Sequence, residues 1–406
     1  MAADNKPSHL VPRLRFPEFR DTGEWEARKL GNIADFFKGK GLPKSMLSAD
    51  GACQCIHYGE LFTTYTEVIQ TVNSRTNLDG KLFLSVENDV LMPTSDVTPN
   101  GLAKACCVKL RNVIIGGDIL VIRTDQQKVW GEFLARYIRH LERKVLQLVT
   151  GSTVYHLYAA SLEKLDLCIP TPLEQKKIAD CLSSLDDLIA AEGRRLEALH
   201  QHKQGLMQKL FPQPGKTIPR LRFPEFHKEP KWRALTIEDV CDPKAGQFVP
   251  ASEISEQAEE DLFPCYGGNG LRGYVKSFTH EGRYILVGRQ GALCGNVNLC
   301  SGKFHATEHA LVVTPRPGID TGWLFYALDL LKLNRFSIGQ AQPGLSARVL
   351  KNLSIWAPIE VGEQQKIADC LRSLDELIAA EEQRLNALLM HKQGLLQKLF
   401  PSLDWQ

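Results

Sequence analysis

The chain has 406 residues, 43% of them hydrophobic, and its 49 basic side chains nearly balance 47 acidic ones to give a formal net charge of +2. This length suffices for two or three domains, and the small charge excludes attraction of a polyanion by the global field, so any nucleic acid must be met by local patches. No apolar run approaches the ~18 residues of a membrane span. The polar start MAADNKPSHL is not a secretory signal, and we expect a cytoplasmic protein.

Eleven cysteines occur in the chain, an odd number without a CxxC pair, which favours reduced thiols over a disulfide framework. Cys294, Cys300, His305 and His309 lie close together in the sequence. Their spacing matches no standard zinc pattern. We therefore expect no metal site in this chain.

The first element in chain order is a short arm that occurs twice. The segment VPRLRFPEF at residues 11–19 recurs as IPRLRFPEF at residues 218–226, and each copy precedes a tryptophan, Trp25 or Trp232. A repeat with the same order of elements on both sides is the signature of a duplication. The chain is therefore expected to contain arm, domain and helix, twice.

Each arm precedes a strand-rich domain, at residues 25–170 in the first copy and 232–358 in the second. Runs of aliphatic residues such as 118–122 and 284–287 are separated by glycines and predict short strands. The two domains match at their ends and differ in their middles. These features predict two copies of one α+β domain that have diverged in their loops.

A long helix is predicted after each domain. Residues 174–212 and 363–401 match at 30 of 39 positions, so this repeat is part of the architecture. Apolar residues from Ile178 to Leu210, and their equivalents in the second copy, recur in alternating steps of four and three, the period of a coiled-coil seam. Each helix is roughly 55 Å long at about 1.5 Å per residue. Thr171, followed by a proline, is the predicted cap of the first.

One acid and one base interrupt each seam, Glu192 and Lys203 in the first copy and Glu381 and Lys392 in the second. In an antiparallel pair with a pseudo-twofold axis, pairing Glu192 with Lys392 also pairs Lys203 with Glu381. A parallel pair in equal register would bring like charges together. The seam therefore predicts an antiparallel coiled coil in this register. The alternative is two separate helices, each packed on its own domain.

The predicted fold is α+β, with two similar recognition domains separated by two long antiparallel coiled-coil helices and related by a pseudo-twofold axis. Two equal outer surfaces related by such an axis are suited to two copies of one partner. The predicted boundaries are an N-terminal arm at 1–24, a first domain at 25–170, a first long helix at 171–212, a linker with the repeated arm at 213–231, a second domain at 232–358 and a second long helix at 359–401.

This arrangement resembles the specificity subunit of type I restriction-modification systems. The resemblance covers nearly the whole chain and rests on two domains, each followed by a helix that opens with EQxKIA, at residues 174–179 and 363–368. LMPTSDVTPNG at 91–101 and YGGNGLRGY at 266–274 are also similar to the family's recognition domains. Each motif is weak alone, but their order and duplication are specific.

The resemblance implies a non-catalytic subunit that reads double-stranded DNA. Each target-recognition domain would read one half of a bipartite site, the helix pair would set the spacer, and two methyltransferase subunits would dock, with restriction or translocase subunits as further partners. The resemblance also implies that S-adenosylmethionine, ATP and Mg²⁺ are bound by those partner subunits and that this chain binds no cofactor.

Base reading in the major groove needs hydrogen-bonding side chains, chiefly Arg, Lys, Asn and Gln, with Ser and Thr as less specific readers. Polar loops next to glycines supply such side chains. The candidates are Lys38, Lys40, Thr63, Thr64, Tyr65, Thr94, Ser95, Thr98, Asn100, Ser152, Thr153 and Tyr155 in the first domain, and Asn269, Arg272, Arg289, Gln290, Gln340 and Gln342 in the second. Four basic residues at helical spacing either meet the DNA backbone or form a solvated helix face: Arg136, Arg139, Arg143 and Lys144.

Two other function classes stay open. A DNA-modifying enzyme needs a phosphate or cofactor loop, yet the Gly-Lys-Thr at 215–217 lacks the upstream glycine of a Walker A motif, and no glycine-rich cofactor loop follows a strand. A coiled-coil scaffold that never contacts DNA explains the helices, but it does not explain why the polar loops of the two domains have diverged.

Overall fold

The computed structural model of the chain describes residues 11–291, 293–339 and 343–401. It divides into two compact units, one formed by residues 1–191 with 385–406 and the other by residues 192–384. Each unit contains one strand-rich domain and a segment of each long helix. The α+β fold expected from the sequence is confirmed.

The elements of the first unit are β1 (Glu26–Lys29), β2 (Ala34–Lys38), β3 (Cys53–Ile56), α1 (Glu60–Thr63), β4 (Val68–Ile69), β5 (Arg75–Thr76), β6 (Asp89–Pro93), β7 (Ser95–Asp96), β8 (Cys106–Val108), β9 (Ile114–Ile115), β10 (Ile119–Thr124), α2 (Gly131–His140), α3 (Glu142–Gln147), β11 (Tyr155–His156), α4 (Ala159–Leu162), β12 (Asp166–Ile169) and the first half of α5 (Pro172–Leu210). A five-stranded sheet of order β2-β10-β6-β8-β4 forms its centre, antiparallel except for β4 and β8. Strands β6 and β10 are almost entirely buried, because their continuous apolar runs suit a strand that is covered on both faces.

The elements of the second unit are the second half of α5, β13 (Arg233–Thr236), α6 (Ile237–Val240), β14 (Cys241–Ala245), β15 (Phe263–Gly267), β16 (Gly270–Val275), β17 (His280–Gly288), β18 (Val297–Ala306), β19 (Ala310–Pro315), α7 (Thr321–Leu330), α8 (Ala347–Lys351), β20 (Ser354–Ala357) and most of α9 (Val361–Leu399). Its main sheet has six strands in the order β14-β19-β17-β18-β15-β16. Only the pair β15 and β18 is parallel in this sheet. The two sheets share one strand order and the same single parallel pair, with β14, β19, β17, β18 and β15 in the places of β2, β10, β6, β8 and β4. Strand β16 is an additional edge strand of the second domain.

The long helices begin and end at the residues that the sequence marks. The Thr171 hydroxyl accepts a hydrogen bond from Glu174 N at 3.4 Å, and Pro172 is the first residue of α5. Both helices stop just before a Phe-Pro pair, because a proline ring cannot continue the hydrogen-bond ladder. Within the described parts of the chain, these and the shorter helices lack an apolar stretch that would cross a membrane.

Segments of the two long helices lie antiparallel within each unit. In the second unit, Arg384 Nη2 lies 2.8 Å from Glu192 Oε1, and Lys203 Nζ lies 2.5 Å from Asp375 Oδ1. Positions therefore rise along α5 as they fall along α9. The predicted antiparallel arrangement is confirmed.

The first unit repeats this pairing with the equivalent residues. Lys392 Nζ lies 2.7 Å from Asp186 Oδ1. Asp186 holds the position in the repeat that Asp375 holds in the second copy, and Lys392 is the equivalent of Lys203. The same lysine–aspartate contact thus occurs once in each unit.

The predicted register is wrong. The pairs Glu192–Lys392 and Lys203–Glu381 do not form, because each lysine binds an aspartate and each glutamate faces an arginine of the other helix. The two glutamates also meet each other, and the pKa of Glu381 is raised, first by its hydrogen bond with Glu192 and then by burial. Charged residues just outside the seam satisfy the seam charges, and the seam positions alone do not reveal them.

Each arm is anchored on the first turn of a long helix by a buried ion pair. Arg15 Nε and Nη2 each donate to a carboxylate oxygen of Glu174 at 2.7 Å, and the indole nitrogen of Trp25 donates to the same carboxylate at 3.3 Å. Such a bidentate pair fixes direction as well as position. The equivalent residues of the second unit make the same contacts: Arg222, Glu363 and Trp232.

Aromatic side chains close the core of each unit. The ring of Phe400, which follows α9, stacks on Tyr137 of α2 with centroids 4.9 Å apart. Phe211, which follows α5, stacks on Trp323 of α7 with centroids 6.4 Å apart. Each phenylalanine sits at the end of its helix, so the two repeat ends pack against α2 and α7 in the same way.

Candidate nucleic-acid interface

A short ladder brings most of the first domain's candidates together. Strand β7 pairs antiparallel with β11, with Asp96 opposite Tyr155, and Leu157 N donates to Thr94 O at 3.0 Å. Two polar loops, one around each strand, therefore lie side by side. The predicted site residues of this group are Thr94, Ser95, Thr98, Asn100, Ser152, Thr153 and Tyr155.

The carboxylate of Asp96 fixes the first of these loops. Its Oδ1 accepts from Val97 N at 2.7 Å and its Oδ2 accepts from the Thr98 hydroxyl at 2.8 Å. A Cβ at Gly101 would overlap Oδ2, so only glycine leaves room for this carboxylate. The loop borders an open cleft of about 620 Å³ that Asn100 also lines. The loop is therefore held in one conformation beside a cleft.

Lys38 and Lys40 lie next to this ladder. Lys38 Nζ is 3.6 Å from Asp118 Oδ1, and the backbone oxygen of Asp118 accepts from Thr94 N at 2.9 Å. Both lysines are exposed. An exposed ion pair contributes little to stability, so Lys38 can exchange its carboxylate for a DNA phosphate at small cost.

The candidates after α1 divide into two groups. Thr63 and Thr64 are exposed, with their hydroxyls 3.3 Å apart. Tyr65 is only partly exposed, its hydroxyl is buried without a hydrogen-bond partner, and burial is the first cause that raises its pKa. Its ring packs against a core cluster of the domain. The structure thus contradicts Tyr65 as a base reader, because its ring packs on the core and its hydroxyl is buried as well.

In the second domain the hairpin β15–β16 carries two candidates. Asn269 lies at its turn and Arg272 on β16, and both are exposed. Asn296 Nδ2 lies 3.5 Å from Asn269 Oδ1, which connects the hairpin to the loop after β17. A Cβ at Gly268 would meet His309 O at 2.8 Å, so this turn approaches the next loop closely.

The loop after β17 carries Arg289 and Gln290. Arg289 N donates to His309 O at 2.8 Å, and Gln290 Oε1 lies 2.9 Å from His309 Nδ1. Arg289 Nη1 also donates to Glu308 O at 3.3 Å. The structure therefore brings Asn269, Arg289 and Gln290 close together in loops at one end of the strands of the six-stranded sheet. Gln340 and Gln342 lie outside the described residues.

The two arginines of α2 differ in exposure. Arg136 is buried, and its Nη1 donates to Asp186 of α5 at 2.8 Å, so both expectations are wrong for this residue. Arg139 Nε donates to Ala105 O at 2.6 Å, but Arg139 is half-buried and lines the cleft beside Thr98 and Asn100. Its contact with a DNA backbone therefore stays a prediction. Arg143 is exposed.

The sequence did not indicate several residues of these loops. Val97 and Val154 in the first domain, and Leu271 in the second, are exposed apolar side chains among the polar candidates. His309 joins Gln290 at the centre of the second group. Apolar residues in a loop are normally assigned to the core, so only the structure reveals them.

The first loop group combines hydroxyl and amide side chains, and the second combines amide and basic side chains. Such groups can donate to and accept from base edges, whereas phosphate contacts need basic residues, which are few here. Among the described residues there is no cluster of His, Cys, Asp or Glu that could hold a metal ion. The arrangement fits the recognition of a nucleic acid by its base edges.

A comparison with protein families decides the assignment. The family of the type I restriction modification DNA specificity domain matches this chain twice, at residues 22–201 and 229–390. The chain belongs to this family. Each match in this type I specificity protein contains one domain and most of the long helix that follows it, so the repeating unit of the sequence is also the unit of the family.

The specificity subunit of the type I restriction enzyme EcoprrI from Escherichia coli is 44% identical over 150 residues, an alignment that covers 37% of this chain and only 37% of that protein. The specificity subunit of MjaVIII from Methanocaldococcus jannaschii is 24% identical over 415 residues and covers 95% of this chain and 93% of that protein. The crystal structure of the type I S subunit from M. genitalium has a TM-score of 0.69 at 18% identity and covers 97% of this chain and 100% of that one. This last likeness extends the shared fold to nearly the whole chain.

Proposed function

We propose that this chain is the non-catalytic DNA-reading subunit of a type I restriction-modification complex, and that each domain reads one half of a bipartite site. One observation carries the proposal most directly. The arm contacts and the helix contacts repeat residue for residue in the two units, while the loop groups share no residue pattern. The arm and the long-helix contacts of each unit, here called its frame, are the same in both units, whereas the loops differ. This suits two domains that recognise different DNA sequences.

The first domain reads its half-site through the loops around β7 and β11, assisted by Lys38 and Lys40. The second reads through the β15–β16 hairpin and the loop after β17. Since amides and hydroxyls in the major groove distinguish base pairs, different loops select different half-sites. The two long helices run without interruption for 39 residues each, and their length sets the number of base pairs between the half-sites.

The partners are two methyltransferase subunits, which bind the two equivalent frames, and restriction or translocase subunits in a complete system. The repeated polar positions on the outer faces of α5 and α9 support this, because a coiled-coil seam requires only the apolar positions to match. Catalysis is assigned to those partners, which bind S-adenosylmethionine, ATP and Mg²⁺. Purified chain that binds S-adenosylmethionine on its own would contradict this division.

The test is a genome-wide map of methylated bases in cells with the methyltransferase subunit, with and without this chain. An interrupted motif with two unlike halves is expected only when the chain is present. A continuous motif, or the same methylation in both strains, would contradict the proposal.

A substitution sharpens the same experiment. Arg272→Ala removes an exposed arginine of the hairpin and should relax the sequence of one half-site by about 1–3 kcal/mol of discrimination. Arg233→Ala is the matched control, since Arg233 is an exposed arginine on β13, outside the loop group. Relaxation of both half-sites by Arg272→Ala, or an equal effect of the two substitutions, would reject the assignment of the hairpin.

A further inference from the structure

An exposed valine pair lies within the polar loops of the first domain. Val97 is 73% exposed and Val154 44% exposed. The ladder pairs Asp96 with Tyr155, and Val97 directly follows Asp96 while Val154 directly precedes Tyr155. Both valines therefore lie at the same end of this ladder, one on each of its two segments. This pair of exposed valines is the apolar spot of the first domain.

This spot is held outward by the structure of the loop. The Asp96 carboxylate binds Val97 N and the Thr98 hydroxyl and fills the space that Gly101 leaves. Because the Thr98 hydroxyl donates to Asp96, its free capacity is to accept. These hydrogen bonds fix the conformation of the loop, and the methyl groups of Val97 and Val154 are exposed to solvent.

We propose that Val97, together with Val154, is a specificity-determining contact that recognises the 5-methyl group of a thymine in the half-site read by the first domain. The inference rests on the proposed function. In the major groove, thymine is the base that presents a methyl group, and apolar side chains read it. The valines stand among Thr98, Asn100 and Thr153, which are exposed and can hydrogen-bond to neighbouring base edges.

A protein partner fits this spot less well. Interfaces between proteins bury roughly 800 Å² on each partner around a continuous apolar centre. Here the two valines are next to exposed Thr98 and Thr153 in the sequence, an arrangement suited to one methyl group between polar atoms. The second domain repeats the arrangement with unlike residues, since Leu271 is exposed beside Asn269 and Arg272.

The experiment uses the purified full chain with its methyltransferase subunits and duplexes that contain the mapped target. Each thymine of the half-site that changes on exchange of residues 25–170 is replaced in turn by deoxyuridine, which removes only the methyl group. At one position the wild-type complex should lose about three- to fivefold in affinity, the value of one buried methyl group. The Val97→Ala complex should bind the thymine and deoxyuridine duplexes equally at that position.

Val86→Ala is the matched control, because Val86 is an exposed valine of the same domain outside the loop group, and it should keep the wild-type ratio. An unchanged ratio in Val97→Ala, a half-site without an A·T pair, or loss of methyltransferase binding with the ratio intact would overturn the inference. A wild-type complex that does not prefer the target to a scrambled duplex would instead refute the proposed function itself.

Discussion

The two units are held together by the same contacts at one end and by different contacts at the other. At the start of each long helix an arginine and a tryptophan donate to a buried glutamate, and this group is called the arm–helix ion pair. It consists of Arg15, Glu174 and Trp25 in the first unit and of Arg222, Glu363 and Trp232 in the second. The amide of Gln175 likewise accepts from Trp130 N and donates to Pro170 O, and Gln364 accepts from Asp320 N and donates to Pro358 O. The frames are equal down to single hydrogen bonds.

The contact of one helix aspartate with the domain differs between the units. In the first unit, Asp186 of α5 binds Arg136 of the domain at 2.8 Å and Lys392 at 2.7 Å. In the second unit its equivalent, Asp375, accepts from the Tyr326 hydroxyl at 2.6 Å and binds Lys203 at 2.5 Å. The same position of the repeat thus binds an arginine in one domain and a tyrosine in the other.

This difference shows where a duplicated frame can change. The contacts between arm and helix and between the two helices have both partners in repeated segments. A substitution of one partner therefore removes the contact unless the other partner changes too. The contact with the domain has one side in the diverged part of the chain. A neutral phenol can replace a guanidinium there, provided that the aspartate keeps its lysine.

The largest effect is expected from Arg136→Met in the first unit. The substitution removes a buried guanidinium that pairs with both Glu132 and Asp186 and leaves each carboxylate one lysine. We expect a cost of about 3 kcal/mol, the lower end for a broken buried ion pair. Since a chain of several units does not unfold in two states, hydrogen exchange of α2 and the first half of α5 is the appropriate measurement. Equal loss of protection in α7 would contradict the separate contact.

Disruption of either arm–helix ion pair should cost less stability than Arg136→Met, and the two costs should be equal. Glu174→Gln and Glu363→Gln each weaken a doubly bonded arginine while keeping the volume of the side chain, at about 2–3 kcal/mol. The local stabilities of the two arms, measured by hydrogen exchange at Trp25 and Trp232, should fall by the same amount. If the two losses of local stability differed by more than about 1 kcal/mol, the arm–helix contacts of the two units would not be equivalent.

Tyr326→Phe should cost less again, about 1.5 kcal/mol, because it removes one hydrogen bond to a carboxylate that keeps Lys203. The pKa of Tyr326 is raised by burial and by this hydrogen bond, so the phenol stays neutral at ordinary pH. Protection of α7 should decrease while that of α2 is unchanged. A cost equal to that of Arg136→Met would remove the distinction between the two domain contacts.

The smallest effect is expected where the helices are most alike, at Glu192 and Glu381. The pKa of Glu381 is raised above its ordinary 4.5, first by the hydrogen bond with Glu192 and then by burial. A carboxyl that holds its proton more tightly when folded stabilises the folded state at low pH, and this stabilisation is lost as pH rises through the folded pKa. Glu381→Gln should therefore reduce the decline in helix-pair stability above pH 4.5.

A steeper decline in the Glu381→Gln variant would show that Glu381 is charged at low pH and stabilised by Arg195 instead. Arg195 lies 3.8 Å from Glu381, a longer distance than the 2.8 Å from Arg384 to Glu192. The Arg195→Gln variant serves as the control, because it should increase the decline by removing the cation that offsets the pair.

The sequence predicted the frame better than the sites, for physical reasons. The heptad positions from Ile178 to Leu210 and the Thr171 cap depend on local periodicity, which the chain displays directly. The register depends on Asp186 and Asp375, which lie outside the seam, and on Glu67 of the first domain, 3.2 Å from Lys392. No periodicity carries that information.

The sequence predicted where the loops lie in the chain, but it did not predict which of their side chains are exposed. Glycine and polar residues marked the loops that contain Thr98 and Asn269, and the structure places these residues on exposed loops. Tyr65 was wrong because a tyrosine can bury its ring or expose its hydroxyl, and the sequence does not distinguish the two. Val97 was missed because its exposure depends on the Asp96 contacts, which form only in the folded loop.

The most direct test of two unlike readers on equal frames is an exchange of residues 25–170 for those of a relative, followed by mapping of methylated sites. The account predicts that one half of the bipartite sequence changes, while the other half and the spacer stay the same. A change in both halves, or in neither, would contradict it.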